Sequence, residues 1–392
     1  MDKPRRLFEY VGVMHIHTTD SDGSKTHDEI IELAHKYKLD FLAFSDHMTL
    51  EHKNKEGWYG KTLVIVGYEH QDIDEKNHYL VFGLNTVLPE DFEPNMYVKR
   101  VHQAGGFGII AHPDESRDFP KFPPLPWTDW SVREFDGIEI WNHMSAWLEG
   151  LARGNKLKYL LNPRSLLTAP PRETLAMWDK FNIRRRVVGI GSADAHGFKL
   201  KILGIFHRTI FPYRVELCSI RTHILTKREL PRDFTSAKEN FFGALHKCRV
   251  FISNYRWGDA RGFRFWAESP NEYAIIGDRI KFNPKMKIFV ESPLPAEIHL
   301  IYNGKKIATA EGKSAEFYAK RYGIYRVELY REGKGWIFTN HIRVTRANGK
   351  KKYPHNKNSS NAHSSRKDRP SRNNFGKEKS RRKDENRNKR SR

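Results

Sequence analysis

From Val11 to about Ser253, short continuous apolar runs alternate with amphipathic stretches. The runs "LDFLAFSDH", "TLVIVGYEH", "HYLVFGLN", "GFGIIAHPD", "FDGIEIWNH" and "RRVVGIGSADAH" are rich in Val, Ile and Phe, and most end in a polar or acidic cluster. Uninterrupted apolar runs of this length suit strands buried on both faces. Between them, "THDEIIELAHKYK" sets Ile30, Leu33, Ala34 and Tyr37 at helical spacing, and "YVKRVHQAGG" stops at a Gly pair suited to a helix C-terminus. The alternation predicts parallel strands joined by crossover helices, hence a βα-barrel or an open α/β sheet.

Residues 145–185 interrupt the pattern. There "LLNPRSLLTAPPRETLAMWDKF" places a Pro pair before an amphipathic helix carrying Leu175, Trp178 and Phe181, which reads as an insertion beside the strand ends. A helix over "TSAKENFFGALHKCR" precedes "VFISNYRWGDARG", a Gly-containing exit from the first domain. From Phe263 the texture changes to short alternating strands, and Asn303-Gly304 is a hairpin signal, so a small antiparallel β-sandwich is expected. After Val344 aliphatic residues almost vanish; such a segment cannot offset its ordering entropy by burial and is expected to be disordered. The expected division is a barrel over 1–258, a β-sandwich over 259–346 and a disordered basic tail over 347–392.

Composition refines this division. A chain of 392 residues with 38% apolar content can bury at least one full core and has room for two domains. The net charge of +22 is uneven: residues 347–392 hold 17 Lys and Arg against four Asp and Glu, a net +13, which leaves +9 for the rest. Two cysteines, Cys218 and Cys248, are too few for a disulfide framework or a thiolate zinc site, so any metal falls to His, Asp or Glu and a reducing compartment is expected. The N-terminal "MDKPRRLFEYVG" has no apolar signal core, and no stretch approaches the roughly 20 apolar residues needed to span a bilayer. The expectation is a cytoplasmic protein with no membrane contact.

The strand ends carry the chemistry. On a strand, residues two apart share a face, so His15 and His17 project together from "YVGVMHIH". Asp22 follows in the next turn, His47 ends "FLAFSDH", Glu69 ends "LVIVGYE", His78 opens "HYLVFGL", His112 ends "GIIAH", and Asp194 and His196 end "VVGIGSADAH". If the fold is an α/β barrel, the carboxyl ends of its strands meet at one mouth. Imidazoles and carboxylates gathered there are ligands for Zn, Mn or Fe.

In these pieces, "HIHTTDSDG", "FSDH", "GYE" with "NHYLVFGL", "AHP" and "GSADAH", the chain resembles the PHP (polymerase and histidinol phosphatase) family of metallohydrolases over about residues 10–255. The insertion and the closing "GWIFTNHIRV" further resemble the subgroup with carbaryl-hydrolase-like members, extending the likeness to about residues 10–346. The resemblance implies a distorted seven-stranded βα-barrel with a trinuclear metal centre and, mostly, hydrolysis of phosphate esters. Position by position it implies one ion on His15, His17, Glu69 and Asp194, a second on Glu69, His78 and His112 with Glu69 bridging, and a third on Asp22, His47 and His196. One departure stands out. In "AHPDESRD" the first Arg after the Pro is Arg117, later than in many relatives.

Three divalent ions against the carboxylates of Asp22, Glu69 and Asp194 leave a formal positive charge that attracts a phosphate dianion. A water bridging two ions becomes hydroxide near neutral pH while the third ion holds a phosphoryl oxygen. Glu69, Asp194 and His196 are the expected catalytic residues. Asp46 and Asp20 are candidates to orient a ligating imidazole or to cap a turn. Arg117, Asn142 and His143 are the substrate-binding candidates, whereas His52, His70 and His207 read as structural or surface histidines. Neither Gly-rich run has phosphate-loop or dinucleotide spacing, which argues against nucleotide-binding chemistry.

The basic tail has only two aromatic residues, Tyr353 and Phe375, so any nucleic-acid contact it makes is electrostatic and nonspecific. The leading expectation is a metal-dependent phosphoesterase acting on a small phosphate mono- or diester. The alternatives are an oligonucleotide phosphodiesterase, a carboxylic or carbamate ester hydrolase, and a non-catalytic nucleic-acid-binding module. A full set of nine ligand positions favours the enzyme over the silent module.

Overall fold

The computed structural model describes residues 7–120, 122–153, 162–202 and 206–346; the basic segment 347–392, expected to be disordered, lies outside the described residues. Strands β1 (Phe8–Met14), β2 (Phe41–His47) and β4 (Thr62–His70) are parallel neighbours, and β3 (Gly57–Tyr59) folds back antiparallel on β4. Every residue of β4 is buried, as an uninterrupted apolar run requires.

The expected parallel order breaks at the next two strands. β5 (Tyr79–Phe82) runs antiparallel to both β4 and β6 (Phe107–Ile110). Only residues 71–78 separate β4 from β5, and a parallel return needs a crossover of a dozen or more residues. Beyond β6 the parallel order resumes with β7 (Gly137–Asn142) and β8 (Val188–Ser192). The chain just past β8 then meets the chain just past β1 in a parallel bridge between Ile16 and Ala195. There the His17 N–H donates to the Ala195 carbonyl at 2.9 Å and the Ala195 N–H to that of His15 at 3.1 Å. The first and last strands of the run are thereby neighbours at their carboxyl ends.

β9 (Phe198–Ile202) and β10 (Phe206–Phe211) form a separate antiparallel pair, while β11 (Ile220–Thr226) and β12 (Val250–Asn254) extend the main sheet from β1. Helix His27–Lys36 starts on a capping box in which Thr26 and Glu29 satisfy each other's backbone N–H, and it buries Ile30, Ile31 and Ala34. Within the insertion, helix Arg172–Arg184 buries Leu175 and Trp178.

Strands β13 (Arg264–Ser269), β14 (Glu272–Ile275), β15 (Arg279–Lys281), β16 (Lys287–Tyr302), β17 (Lys305–Tyr318), β18 (Gly323–Arg331), β19 (Lys334–Thr339) and β20 (Ile342–Thr345) pair antiparallel except for β15 with β20. The turn between β16 and β17 is Asn303-Gly304, with φ of 46° and 81°, the left-handed pair a tight hairpin needs. These strands share a core that includes Phe265, Ile288, Val290, Val327 and Trp336. β12 pairs with β19, so both strand sets belong to one mixed α/β sheet system, and the described residues make one compact unit. Among the described residues, no helix is long and apolar enough to cross a membrane.

Candidate metal centre

Three of the nine expected ligands occupy backbone conformations that side chains rarely adopt: His15 has φ 61°, Asp194 φ 52° and His112 φ 21°. Each lies immediately beyond a buried strand or within two residues of its end. Left-handed residues of this kind persist where the surroundings over-determine them, and they cluster at functional sites.

The side chains converge on Glu69, the penultimate residue of β4 and almost fully buried. Its Oε2 is approached by His15 Nε2 at 3.1 Å, His17 Nε2 at 3.2 Å and His47 Nδ1 at 3.4 Å. Its Oε1 is approached by His78 Nδ1 at 2.9 Å and His112 Nε2 at 3.3 Å. Asp194 Oδ1 lies 3.3 Å from both His15 Nε2 and His17 Nε2. On the outer side, Asp22 reaches His196 Nε2 at 3.2 Å, His17 Nδ1 at 3.6 Å and His47 Nε2 at 3.9 Å. All nine expected ligands therefore meet. His17 faces two groups at once, with Nε2 toward Asp194 and Nδ1 toward Asp22.

Burial opposes charge throughout this cluster, and mutual attraction overcomes it. The His15 pKa stands well above its ordinary value because Asp194, Glu69 and Glu139 outweigh desolvation. His17 is pushed up to about 10 against burial by Asp194 and Glu69, and His112 to about 9 by Glu115 and Glu69. Reciprocally, Glu69 and Asp194 are held well below the carboxylate range by the imidazoles despite their burial. His47 differs: burial dominates and takes it down to about 4.

Two buried carboxylates that the sequence reading passed over support the ligands. Glu139, in the middle of β7, lies with Oε1 2.8 Å from His15 Nδ1 and accepts the His112 backbone N–H at 2.9 Å. A Glu inside the apolar run "FDGIEIWNH" was the available signal. Glu216 accepts the backbone N–H groups of His196 at 3.1 Å and Gly197 at 3.2 Å, and burial raises its pKa. No pattern in the sequence pointed to it. Asp46 accepts the Thr18 N–H at 2.6 Å and the Ser21 hydroxyl at 2.7 Å, so it ties the ligand loop to the end of β2.

No family model matches the chain, and no curated protein is similar to it. Among solved structures it is similar to a two-domain protein from Bacteroides vulgatus containing a predicted PHP-like metal-dependent phosphoesterase, at 13% identity over 86% of this chain and 95% of that one, with a TM-score of 0.42. It is also similar to a candidate metal-dependent phosphoesterase from Bifidobacterium adolescentis, at 16% identity over 47% and 87% of the two chains, with a TM-score of 0.30. Neither likeness is close enough to carry chemistry to this chain, so its own side chains have to supply it.

They fit a metal. His15 Nε2, His17 Nε2, His47 Nδ1 and His78 Nδ1 are buried without a hydrogen-bond partner, although each lies within 3.4 Å of a Glu69 oxygen. Nitrogens that crowd a carboxylate without hydrogen-bond geometry are arranged as ligands around a shared cation are. Among the described residues, the ligand-type atoms fall into the groups His17, Asp22, His47 and His196; His15, His17 and Asp194; and His47, Glu69 and His78, each within 4.8 Å.

A cavity of about 190 Å³ opens on the cluster. Its lining combines Asp22, His47, Glu69, His78, His112, Asp194 and His196 with the apolar Phe122, Leu125, Met144, Leu148 and Phe198. Of the three substrate-binding candidates, Arg117 lines this cavity. Its Nε and Nη2 donate to the carbonyls of Phe122 and Pro123 at 2.8 and 2.7 Å, and Nη1 lies 2.6 Å from Glu115. Asn142 instead bridges carboxylates beneath the wall, donating to Glu139 at 3.0 Å and Asp194 at 3.2 Å. His143 is fully buried, its ring 4.7 Å from that of Phe211, and burial takes its pKa down to about 3.

Proposed function

We propose that the protein is a metal-dependent hydrolase of phosphate mono- or diesters, working at a centre of three divalent ions of Mn, Zn or Fe. The observation that carries this reading is the division of five imidazoles between the two oxygens of Glu69. In this reading His15, His17, Glu69 and Asp194 hold one ion, Glu69, His78 and His112 a second, and Asp22, His47 and His196 a third. Divalent ions bound there supply Lewis acidity toward phosphoryl oxygens and lower the pKa of a coordinated water from 15.7 toward roughly 7. The chain's own part is positional. Glu69 joins two ligand groups, Glu139 orients His15, Asn142 holds the free oxygen of Asp194, and Glu216 fixes the turn that presents His196. No Ser or Cys nucleophile is needed.

The run of β1, β2, β4, β5, β6, β7 and β8, whose ends meet at Ile16 and Ala195, supports reading residues 1–258 as a distorted seven-stranded barrel, with 259–346 as an appended β-sandwich whose core also takes in Leu225 and Phe251. The apolar residues in the cavity lining favour a small ester whose alcohol carries an apolar group over a polynucleotide backbone. A second reading, hydrolysis of a carboxylic or carbamate ester, is favoured by Arg117, whose guanidinium is committed to two carbonyls and Glu115 rather than left for a phosphate.

The test combines metal analysis of the purified protein with turnover on aryl phosphates, phosphodiesters, carboxylic esters and carbamates. Two to three transition-metal ions per chain and phosphate ester turnover that Glu69→Gln abolishes are expected. Full turnover by that variant would end the proposal, and activity confined to carbamates would select the second reading.

A further inference from the structure

A second group of metal-type side chains lies outside that centre. Asp20, His27 and His52 each present a ligand atom within 4.8 Å of the others. Asp20 belongs to the loop between His17 and Asp22, His27 opens the helix His27–Lys36, and His52 follows β2. Asp20 Oδ2 is hydrogen-bonded to His52 Nδ1 and lies 3.9 Å from His27 Nδ1. The two imidazole rings are 5.1 Å apart. None of the three residues lines the cavity beside Glu69.

His27 is the telling member. It is 3% exposed, and its Nε2 has no hydrogen-bond partner. The Asp46 Oδ2 carboxylate oxygen faces that nitrogen from 4.0 Å, too far for a hydrogen bond. A buried neutral imidazole needs one donor and one acceptor partner, and an unpaired ring nitrogen is costly. The ring turns Nδ1 toward Asp20 and His52, as a ligating histidine would, and Asp46 stands on its opposite side beyond hydrogen-bond reach of Nε2.

We propose that Asp20, His27 and His52 form a separate zinc-type cation site that fastens the ligand loop to the start of helix His27–Lys36 and to the segment after β2. Two imidazoles and one carboxylate suit zinc and are poor ligands for calcium or magnesium. Two donors on one tetrahedral zinc stand roughly 3.4 Å apart, so the 3.9 Å between Asp20 and His27 has to close by about half an ångström, while the hydrogen-bonded Asp20 and His52 have to part to admit the ion. The side chain of His52 is 38% exposed, which gives the ion a route from solvent.

The site's role is structural. The Asp20 N–H donates to the Thr18 hydroxyl at 3.1 Å, and that hydroxyl donates to Asp46 at 2.9 Å, next in sequence to the ligand His47. An ion on Asp20 therefore stiffens the loop that carries His17 and Asp22. The inference does not depend on the chemistry proposed at Glu69.

The test uses the full-length protein, stripped with chelator, reloaded by dialysis against zinc and assayed for bound metal. His52→Ala and Asp20→Asn should each hold one zinc fewer than wild type, whereas Glu69→Gln should retain this ion. On the unaltered protein, zinc should slow carbethoxylation of His52 at least tenfold. Equal zinc content in wild type and His52→Ala overturns the site and leaves Asp20 and His52 as a plain ion pair. Modification of His52 at the same rate with and without zinc overturns it as well.

Discussion

His15 Nδ1 lies 2.8 Å from Glu139 Oε1, with both side chains shut away from solvent. The carboxylate holds the Nδ1 proton, so Nε2, which faces Glu69 and Asp194, is the nitrogen that would give up its proton to bind a metal. Replacing Glu139 by Gln keeps the size of the side chain and removes the charge. The expected result is metal affinity weakened about 10–100-fold with far-ultraviolet circular dichroism unchanged. Competition against a chromophoric chelator measures it, and an unaltered affinity would reduce Glu139 to a partner of the His112 backbone.

His15 and Asp194 are 3.3 Å apart and face the same point. If they serve one ion, removing either already empties that position. His15→Ala and Asp194→Asn should each abolish turnover, and the double variant should be no worse than either single one. Partial losses that add in steady-state kinetics would place them in separate roles.

Glu9, at the start of β1, sits 2.9 Å from His223 Nδ1 and 2.8 Å from Arg264, and it accepts the Gly262 N–H at 3.0 Å. Burial pushes its pKa up, but these partners prevail and hold it at about 2, against 4.5 ordinarily. A depressed carboxylate pKa stabilises the fold above the unfolded value, and that contribution disappears as pH falls from about 4.5 through about 2. Glu9→Gln should cost about 2–3 kcal/mol at pH 7 and much less near pH 2. Urea denaturation at the two pH values distinguishes this from a pH-independent packing loss.

Asp179 in helix Arg172–Arg184 receives two hydrogen bonds of 2.8 Å from Arg326 in β18, and His341 Nε2 lies 2.6 Å from the same carboxylate. All three are buried. Removing one charge from such a pair strands the other in a low-dielectric interior. Arg326→Met should therefore destabilise the protein by about 3–5 kcal/mol, read as a lowered Tm. A change below 1 kcal/mol would mean that solvent reaches Asp179.

A chain ending at Arg346 should keep its turnover on a small aryl phosphate, because every proposed ligand lies at or before His196. The +13 of residues 347–392 acts on a substrate only at long range, which a Debye length of about 10 Å at 0.1 M salt suppresses. If the tail contacts nucleic acid, truncation should weaken RNA or DNA binding and flatten its salt dependence. Filter binding at low and moderate salt decides it.

Much of the candidate centre was legible because its residues stand at the ends of apolar runs, where a period of two or a sudden acid or imidazole is visible locally. His15 and His17, His47, Glu69, His112, and Asp194 with His196 all announced themselves this way. Glu139 was readable in principle, as an acid inside "FDGIEIWNH", but an isolated charge in a strand has no partner until the sheet is assembled. Glu216 and His27 carried no such mark.

What the sequence determined by itself is what depends on near neighbours: the buried strands, the capped helix at Thr26, the Asn303-Gly304 hairpin and the kind of ligand each strand end offers. Only the tertiary structure decided that β5 runs antiparallel, that Ile16 meets Ala195, and that five imidazoles divide between the two oxygens of Glu69. Those outcomes depend on strand pairing between segments up to 180 residues apart, where register and direction are selected by burial of the whole sheet and leave no local trace in the chain.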